Sequence, residues 1–264
     1  MKQFNKILKA ITIVILFAFS AQTITAQDGD WEWLLAAGRG GNDWANDMVR
    51  DQQENLYITG AFTHTAIFGK DVNGNTITLT SLPNSLERFV AKYNKAGQCL
   101  WVKSICNIKA NNSNRKGSIA IDNLGNLFVG GTSYGDIVNG SDTLLHYQRG
   151  VYSFVSSFSQ QDGNLKWIRI AGSGAARNDT LANEAYCTSL APDNQGGVYS
   201  AGYFIEEMYI DSTANQKTYV KANTLSYSSF LIKYNYAGNL QWKRLIKGNT
   251  AWGAGVASIK TNSY

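Results

Sequence analysis

The apolar residues of this chain occur in short runs that are separated by clusters of Gly, Asn and Asp. After residue 26 the runs are rich in Val, Ile, Tyr, Phe and Trp, and they lack the 3.6-residue period of an amphipathic helix. Segments such as 89–93 (FVAKY) and 126–131 (NLFVGG) are typical of β-strands, and the clusters between them are typical of tight turns. The pattern therefore predicts an all-β chain of short antiparallel strands.

One spaced pattern occurs three times and begins a fourth time. Each copy has a strand that opens with tryptophan, a strand that ends in aspartate, a strand that ends in glycine and a strand that opens with phenylalanine. The aspartates and the glycines recur at intervals of 71 residues. The repeated positions are Trp33, Trp101, Trp167 and Trp242; Asp51, Asp122 and Asp193; and Gly60, Gly131 and Gly202. Four antiparallel strands per copy predict the blades of a β-propeller, with the tryptophans as wedges between blades.

The copies predict a propeller region at 27–264, with blades at about 31–100, 101–166 and 167–241 and a partial fourth at 242–264. They are longer than the ~40–45 residues of a plain blade. The surplus lies between the last two strands and contains Asn73-Gly74, a strong hairpin signal, so each blade is expected to carry an inserted hairpin. Because a propeller has at least about four blades, we expect an open or incomplete ring. Such a ring would be explained if the chain is a truncated fragment, or if other chains supply the missing blades.

The combined pattern resembles a known family. The series W…G, then D-x-x-G-N-x-Y-x-x-G, then F-V-A-K-Y-N-x-x-G-x-x-x-W is similar to the bacterial β-propeller repeat called SBBP. The resemblance covers essentially the whole chain after residue 26. It implies a secreted or surface-associated propeller, commonly inside a longer protein, and it carries over no catalytic residues.

The first 26 residues have the three parts of a secretory signal peptide. A basic start contains three lysines and no acid, an apolar run covers 10–20, and a more polar stretch ends at Ala26. The apolar run of about 11 residues is too short for a bilayer, which needs ~20 helical residues. We therefore expect a secreted or cell-surface protein with no transmembrane segment in its mature form.

The charge of the chain does not favour nucleic acid. The formal net charge is +5, from 24 basic and 19 acidic residues. Without the three lysines of the signal it is 21 − 19 = +2, too little for a phosphate-binding surface. The 44% hydrophobic content is ample for a buried core, which excludes wholesale disorder.

Signals for catalysis or metal binding are weak. The two histidines, His64 and His146, have no partner at metal-ligand spacing, and the G-x-S-x-G string at 131–135 precedes no helical pattern. The repeated aspartates are better explained by turns than by paired catalytic carboxylates, because aspartate accepts backbone N–H bonds across a bend. The three cysteines are expected to be buried free thiols, with an intermolecular bridge as the alternative. We predict no catalytic residues, no metal and no cofactor.

Ligand binding is expected at one rim. In antiparallel blades, the segments that join the first two strands lie on the same rim as the inserted hairpins, and that rim carries the length variation between copies. Its aromatic, amide and arginine side chains could hold a ligand, although ordinary solvated loops would look alike. They are Arg39, Asn42, Trp44, Asn112, Arg115, Arg177, Asn178 and Trp252.

The resulting hypothesis is an exported, non-catalytic propeller module for binding or surface interaction, with a glycan, a peptide or another domain of a longer chain as its partner. The alternative is a carbohydrate-active hydrolase or lyase whose site is assembled across blades.

Overall fold

A computed structural model describes residues 38, 41–83, 85–109, 117–133, 137–139, 142–145, 151–172, 184–205, 207–213, 216–221, 227–246 and 258–261. All of them belong to one compact unit, Leu34–Tyr264. The described residues form strands and turns without any helix, so the all-β prediction is confirmed. Within them there is accordingly no helix that could cross a membrane. The predicted signal peptide, 1–26, lies outside the described residues.

Eighteen strands follow one another along this part of the chain. In chain order they are β1 (Trp44–Arg50), β2 (Leu56–Thr63), β3 (Thr65–Lys70), β4 (Thr76–Thr80), β5 (Ser85–Tyr93), β6 (Cys99–Lys109), β7 (Gly117–Ile121), β8 (Asn126–Ser133), β9 (Ile137–Asn139), β10 (Asp142–Leu145), β11 (Tyr152–Ser159), β12 (Leu165–Gly172), β13 (Ala185–Pro192), β14 (Val198–Ile205), β15 (Glu207–Thr213), β16 (Gln216–Lys221), β17 (Tyr227–Tyr234) and β18 (Leu240–Ile246).

Three four-stranded units recur in the same order. We call them sheet 1 (β1-β2-β5-β6), sheet 2 (β7-β8-β11-β12) and sheet 3 (β13-β14-β17-β18), and all neighbours within them are antiparallel. Each sheet begins with an aspartate-ending strand and ends with the tryptophan strand that opens the next sequence copy. The sheets are therefore offset by one strand from the repeat boundaries at 101, 167 and 242. Pairing explains the offset, because a short turn joins each tryptophan strand to the phenylalanine strand before it.

The predicted inserted hairpins are present as β3–β4, β9–β10 and β15–β16. Two of them extend the preceding sheet rather than their own. β9 pairs with the outer strand β6 at Ile137 and Cys106, and β15 pairs with β12 at Tyr209 and Gly172. This pairing produces two six-stranded sheets and covers outer edges that would otherwise be open.

The first hairpin repeats this geometry. The Gly38 N–H donates to the Ile67 carbonyl at 3.0 Å. Gly38 and Gly172 each lie five residues after a repeat tryptophan, and Ile67 and Tyr209 are 142 residues apart, which is two repeats. The first and third hairpins therefore contact equivalent glycines at the same register, whereas the contact of the second hairpin, at Ile137, is shifted by one residue.

Apolar side chains hold consecutive sheets together. One buried cluster joins Tyr57 and Val90 of sheet 1 to Val129 and Phe154 of sheet 2. A second cluster joins Phe128 of sheet 2 to residues of sheet 3 such as Leu190 and Phe230. A third lies between sheet 1 and β3–β4. We call the face of a sheet that packs on the next sheet its front face, and the opposite face its back face.

Two of the repeat tryptophans, Trp101 and Trp167, lie in these interfaces, which is the wedge position expected from the sequence. The Trp167 ring packs between Phe128 and Tyr234, at centroid distances of 6.2 and 6.0 Å. Its Nε1–H donates to the Tyr236 carbonyl of the following sheet at 2.9 Å. Trp101 donates in the same way to the Gln160 carbonyl at 3.4 Å. Trp242 is half-buried in β18, and Trp33 lies outside the described residues.

Candidate functional site

The first strands of the three sheets converge on one cleft. β1, β7 and β13 line it together with residues 258–261, and its volume is about 510 Å³. This volume falls within the ~300–1,000 Å³ of typical ligand sites. Its walls mix apolar side chains such as Val49 and Leu190 with hydroxyl, amide and charged groups. We call it the axial cleft and take it as the candidate functional site.

Hydrogen bonds with equivalent acceptors join successive copies along this cleft. Asp47 Oδ2 accepts the backbone N–H of Ile119 at 3.0 Å, and Ser118 Oγ accepts that of Leu190 at 3.1 Å. Ser189 Oγ accepts the N–H of Ile259 at 3.0 Å. The acceptors Asp47, Ser118 and Ser189 recur every 71 residues. These bonds tie each first strand to the next one and place residues 258–261 in the fourth such position.

Amide side chains line one end of the axial cleft. Asn123 and Asn194 each directly follow a repeat aspartate, and both side chains line the cleft and are exposed. The corresponding residue of the first copy is Gln52, whose Nε2–H donates to Asn123 Oδ1 at 3.3 Å. Each amide offers both donors and an acceptor. This end of the cleft therefore has groups that can bind a polar, uncharged ligand.

The repeat aspartates stabilise the adjacent turns. Asp122 Oδ1 accepts the backbone N–H groups of Leu124 and Asn126, both at 2.9 Å. Asp51 and Asp193 accept the corresponding pairs, at 2.9 and 2.8 Å and at 2.8 and 2.7 Å. The predicted turn chemistry is thus confirmed. These bonds engage the carboxylates in the fold, which explains their recurrence without a catalytic role.

Hydrogen bonds also set the acidity of two of these groups. Burial by itself would raise the pKa of Asp51, but bonds from Asn55, Tyr57 and Gln53 outweigh it and lower the pKa. For Asp193, burial is again outweighed, chiefly by the hydrogen bond from Lys233 Nζ at 2.9 Å, so its pKa is lowered. The same pair raises the pKa of Lys233. A carboxylate with a lowered pKa stays ionised and is a poor general acid at neutral pH.

The predicted rim residues are only partly within the described chain. Asn42 is exposed, and its backbone N–H donates to Thr63 Oγ1 at 2.8 Å. Trp44 is half-buried and packs against the apolar cluster between sheets 1 and 2, so its ring takes part in the interface. The other predicted ligand residues lie outside the described residues; they are Arg39, Asn112, Arg115, Arg177, Asn178 and Trp252.

Two consecutive charged residues, Glu87 and Arg88, are buried in sheet 1. Glu87 accepts hydrogen bonds from the Leu82 N–H at 2.7 Å and from the Ser104 hydroxyl at 2.5 Å. Arg88 is fully buried and donates to Asn46 Oδ1 at 3.0 Å. Its guanidinium packs so closely on Gly117 that a Cβ there would lie 2.1 Å from Nη1. Sequence reasoning missed this pair, because the other copies have Ser or Tyr at the equivalent positions.

The remaining candidate motifs lie in structural positions. Ser133 of the G-x-S-x-G string is fully buried at the end of β8. His64 is exposed at a corner, where its backbone N–H donates to Ser81 Oγ at 2.8 Å, while His146 lies outside the described residues. The described part of the chain contains no group of three or more His, Cys, Asp or Glu side chains suited to a metal ion.

Two of the cysteines are buried free thiols. Burial raises the pKa of Cys99 and of Cys187 to about 11. Cys106 lies in β6, and its side chain is outside the described part. Thiols of this kind are inert at neutral pH, because the thiolate is the reactive form.

The axial cleft itself was not found from the sequence. Its lining residues are ordinary Ser, Asn and Ile in short strands, and only the stacking of the sheets brings them together. A usable signal existed in the equal spacing of Gln52, Asn123 and Asn194, which are amides at the same repeat position in three copies.

Comparison with protein-family models gives no match for this chain. Comparison with curated proteins gives no match either. The resemblance to the SBBP repeat therefore remains a prediction that rests on the spaced motif alone.

Proposed function

We propose that this chain is an exported, non-catalytic β-propeller module that binds a polar, uncharged ligand such as a glycan in the axial cleft. Export is supported by the signal-like sequence of residues 1–26. A propeller arrangement is supported by the recurrence of four-stranded sheets that pack face to face in chain order. The SBBP-like motif supports the same architecture.

The hydrogen bonds between first strands are the second support for a propeller. In that architecture the first strand of every blade lies next to the central axis, so equivalent residues of adjacent blades lie side by side. The contacts Asp47–Ile119, Ser118–Leu190 and Ser189–Ile259 each join a residue to a neighbour of its equivalent in the next copy, which fits this relation. Residues 258–261 then correspond to the first strand of a fourth blade.

The convergence of the copies on a cleft lined with amides is the observation that carries the binding function. The axial cleft has the volume of a ligand site, and exposed Asn123 and Asn194 line it. Its carboxylate, Asp47, already accepts the Ile119 N–H at 3.0 Å and the Ser118 hydroxyl at 3.2 Å. Apart from the exposed Lys260, the other polar groups that line the cleft are neutral donors and acceptors, and the carboxylate is engaged, which favours binding over acid–base chemistry.

An array experiment tests this function. The purified, labelled chain is applied to immobilised glycans and to immobilised peptides. We expect retention on glycans, weakened about five- to tenfold by Asn123→Ala and by Asn194→Gly, because each loses one or two hydrogen bonds. Glycine suits position 194, where φ is +59°. Gln195→Ala is the matched control, since Gln195 is exposed in the same turn but does not line the cleft.

Two results would contradict the proposal. Equal retention of the wild type and both asparagine variants would place the site elsewhere. Release of reducing sugar ends from a polysaccharide, abolished by one carboxylate substitution such as Asp47→Asn, would favour the hydrolase alternative.

A further inference from the structure

We infer that the ligand site extends from the axial cleft into a second pocket between sheets 1 and 2, so that the ligand is an oligosaccharide of at least two sugar units. The inference rests on the proposed function, because it takes the axial cleft as a glycan site. The second pocket, which we call the side pocket, has a volume of about 120 Å³. It lies between the turn that follows β1 and the turn that follows β7, next to Gln160 in the turn that follows β11.

The two pockets share part of their walls. Ile121 and Asn123 line both of them, so a ligand at the amide end of the axial cleft lies beside the side pocket. Gln52 lines the side pocket, and its Nε2–H donates to Asn123 Oδ1 at 3.3 Å. This hydrogen bond joins sheets 1 and 2 where the pockets meet, and it positions the Asn123 amide for contact with both parts of a ligand.

Amide side chains line the side pocket as they line the end of the axial cleft. Gln52, Gln53 and Asn123 are exposed there. Each amide carries two N–H donors and a carbonyl acceptor, which suits hydroxyl groups that both donate and accept. At ~30 Å³ per water molecule, the pocket has room for about four waters, which the hydroxyl groups of one sugar unit would replace.

Gln160 is held in a fixed orientation at this pocket. Its Nε2 donates to the Asp122 carbonyl at 3.2 Å and to the Asn126 carbonyl at 3.0 Å. Its backbone carbonyl accepts a hydrogen bond from Lys92 Nζ at 2.9 Å. Because both N–H donors of the amide are used, Oε1 is the atom that this side chain offers to a ligand, and little side-chain entropy is lost on binding.

The charged groups around the side pocket are engaged within the protein. Oδ1 of Asp51 and of Asp122 accepts two backbone N–H groups in each turn. Oδ2 of each accepts the side-chain amide of the asparagine four residues later, at 2.7 Å. Arg50 forms an ion pair with Glu54 at 3.3 Å. The amides are therefore the groups left for a ligand, and they favour a neutral one.

The equivalent place between sheets 2 and 3 is narrowed by side chains. A Cβ built on Gly196 would lie 3.1 Å from Cβ of Tyr236 and 3.8 Å from Cδ1 of Leu124. A Cβ built on Gly125, which lines the side pocket at the same repeat position, would meet no atom within 4 Å. The opening between sheets 1 and 2 is thus a property of that interface and does not follow from the repeat.

Side-chain identity changes together with this opening. Gln53 lies 71 residues before Leu124. Gln160 corresponds to Tyr236, since the backbone carbonyl of each accepts the indole N–H of a repeat tryptophan. Leucine and tyrosine satisfy the structural needs of these turns between sheets 2 and 3. The amides at the open interface are therefore not required by the fold, which points to a binding role.

Binding to sugars of increasing length tests the side pocket. Neutral homo-oligosaccharides of glucose, galactose, mannose and N-acetylglucosamine, each one to four units long, are immobilised separately, and the dissociation constant of the purified chain is measured for each. In a series that is retained, we expect it to fall about tenfold from one unit to two, because the second unit gains hydrogen bonds in the side pocket. Gln53→Leu should raise it about five- to tenfold for the longer sugars and leave it unchanged for a single unit.

The chain itself offers the reference for this variant. Gln53→Leu introduces the residue found at the equivalent position, Leu124, which is 62% exposed in the same kind of turn, so the variant should fold normally. Gln161→Leu is the matched control, because Gln161 is exposed in the turn beside Gln160 and lines neither pocket. It should leave every dissociation constant unchanged.

The outcomes separate this inference from the proposed function. Retention of no sugar of any length would overturn both. Retention that Asn194→Gly weakens, but that does not depend on length or that Gln53→Leu leaves unchanged at every length, would overturn the side pocket alone. An equal loss for single units and longer sugars in Gln53→Leu would also overturn it, because Gln53 would then act in the axial cleft.

Discussion

Gly238 lies directly against the indole ring of Trp167, 71 residues earlier in the chain. A Cβ built on Gly238 would lie 2.6 Å from Cδ2 of that ring. Gly163 has the same relation to Trp101, with a closest distance of 2.8 Å. Both glycines have a positive φ, of +73° and +70°. The tryptophan wedge and the turn glycine of the following sheet are therefore parts of one repeated contact.

Substitution of this glycine should destabilise the protein through the wedge. We expect Gly238→Ala to lower the free energy of unfolding by about 2–4 kcal/mol, of which about 1–2 kcal/mol reflects the positive φ and the rest the overlap with Trp167. Gly125→Ala is the matched control, because Gly125 has a φ of +83° but no atom within 4 Å of an added Cβ. Gly125→Ala should lower the free energy of unfolding only by about 1–2 kcal/mol, the part that reflects the positive φ. Urea unfolding measures both, and equal losses in the two variants would remove the steric explanation.

A second prediction concerns the hydrogen bonds between first strands. Ser118 Oγ donates to Asp47 Oδ2 at 3.2 Å and accepts the Leu190 N–H at 3.1 Å. Ser118→Ala leaves a buried N–H unpaired between sheets 2 and 3 and also removes the bond to Asp47, so we expect a loss of about 2–3 kcal/mol. Ser156→Ala, whose hydroxyl donates only to the Val129 carbonyl of the neighbouring strand at 2.8 Å, should cost about 1 kcal/mol. Urea unfolding compares the two, and a Ser118→Ala protein as stable as Ser156→Ala would contradict the structural role of these bonds.

The sequence predicted the strands and turns because their determinants are local. An aspartate followed four residues later by Asn or Gly satisfies its own turn, as Asp122 and Asp193 do. These contacts lie within a few residues, so the spacing alone was sufficient. The inserted hairpin at Asn73-Gly74 was predictable for the same reason.

Long-range pairing was not predictable in this way. The second and third hairpins join the preceding sheet through very few residue pairs, such as Gly172 with Tyr209, and no periodicity marks them. The axial cleft depends on the stacking of strands about 71 residues apart. Trp44 was expected on a binding rim, but its ring packs between sheets 1 and 2. The sequence around Trp44 does not indicate on which face of the sheet its ring will pack.

The stability of the fold should depend on the ionisation of Asp193. Its side chain is 5% exposed. Burial alone would raise its pKa, but Lys233 and the backbone N–H groups of Gln195 and Gly197 together outweigh burial, so the pKa in the folded state is lowered from the ordinary value of 3.8. A lowered pKa means that the folded state binds the proton less readily than the unfolded state. The ionised Asp193 side chain therefore contributes its full stabilisation above about pH 5. This contribution is lost as the pH falls through 3.8, the ordinary pKa, toward the lower pKa of Asp193 in the folded state.

Asp193→Asn should weaken this acid dependence. The variant is expected to be less stable than the wild type at pH 7, because the ion pair with Lys233 is gone, and to lose less stability between pH 5 and 2. Lys233→Met should also weaken the dependence of the free energy of unfolding on pH, since it removes a partner that lowers the pKa of Asp193. Urea unfolding at a series of pH values measures this. If the free energy of unfolding changes with pH in the same way for the wild type and Asp193→Asn, this carboxylate does not contribute to the acid dependence of stability.

The buried thiols give a test of the core that does not require unfolding data. Because burial raises the pKa of Cys99 and Cys187 to about 11, almost no thiolate is present at pH 8, and the folded core also shields both sulfur atoms. A Cys106→Ser protein should therefore show no fast reaction with a thiol reagent at that pH, and two equivalents should react once it is denatured. The wild type serves as the reference, since any additional fast equivalent belongs to Cys106. Rapid labelling of native Cys106→Ser would contradict the burial of these residues between the sheets. The loss of one or both equivalents after denaturation without reductant would instead reveal a disulfide.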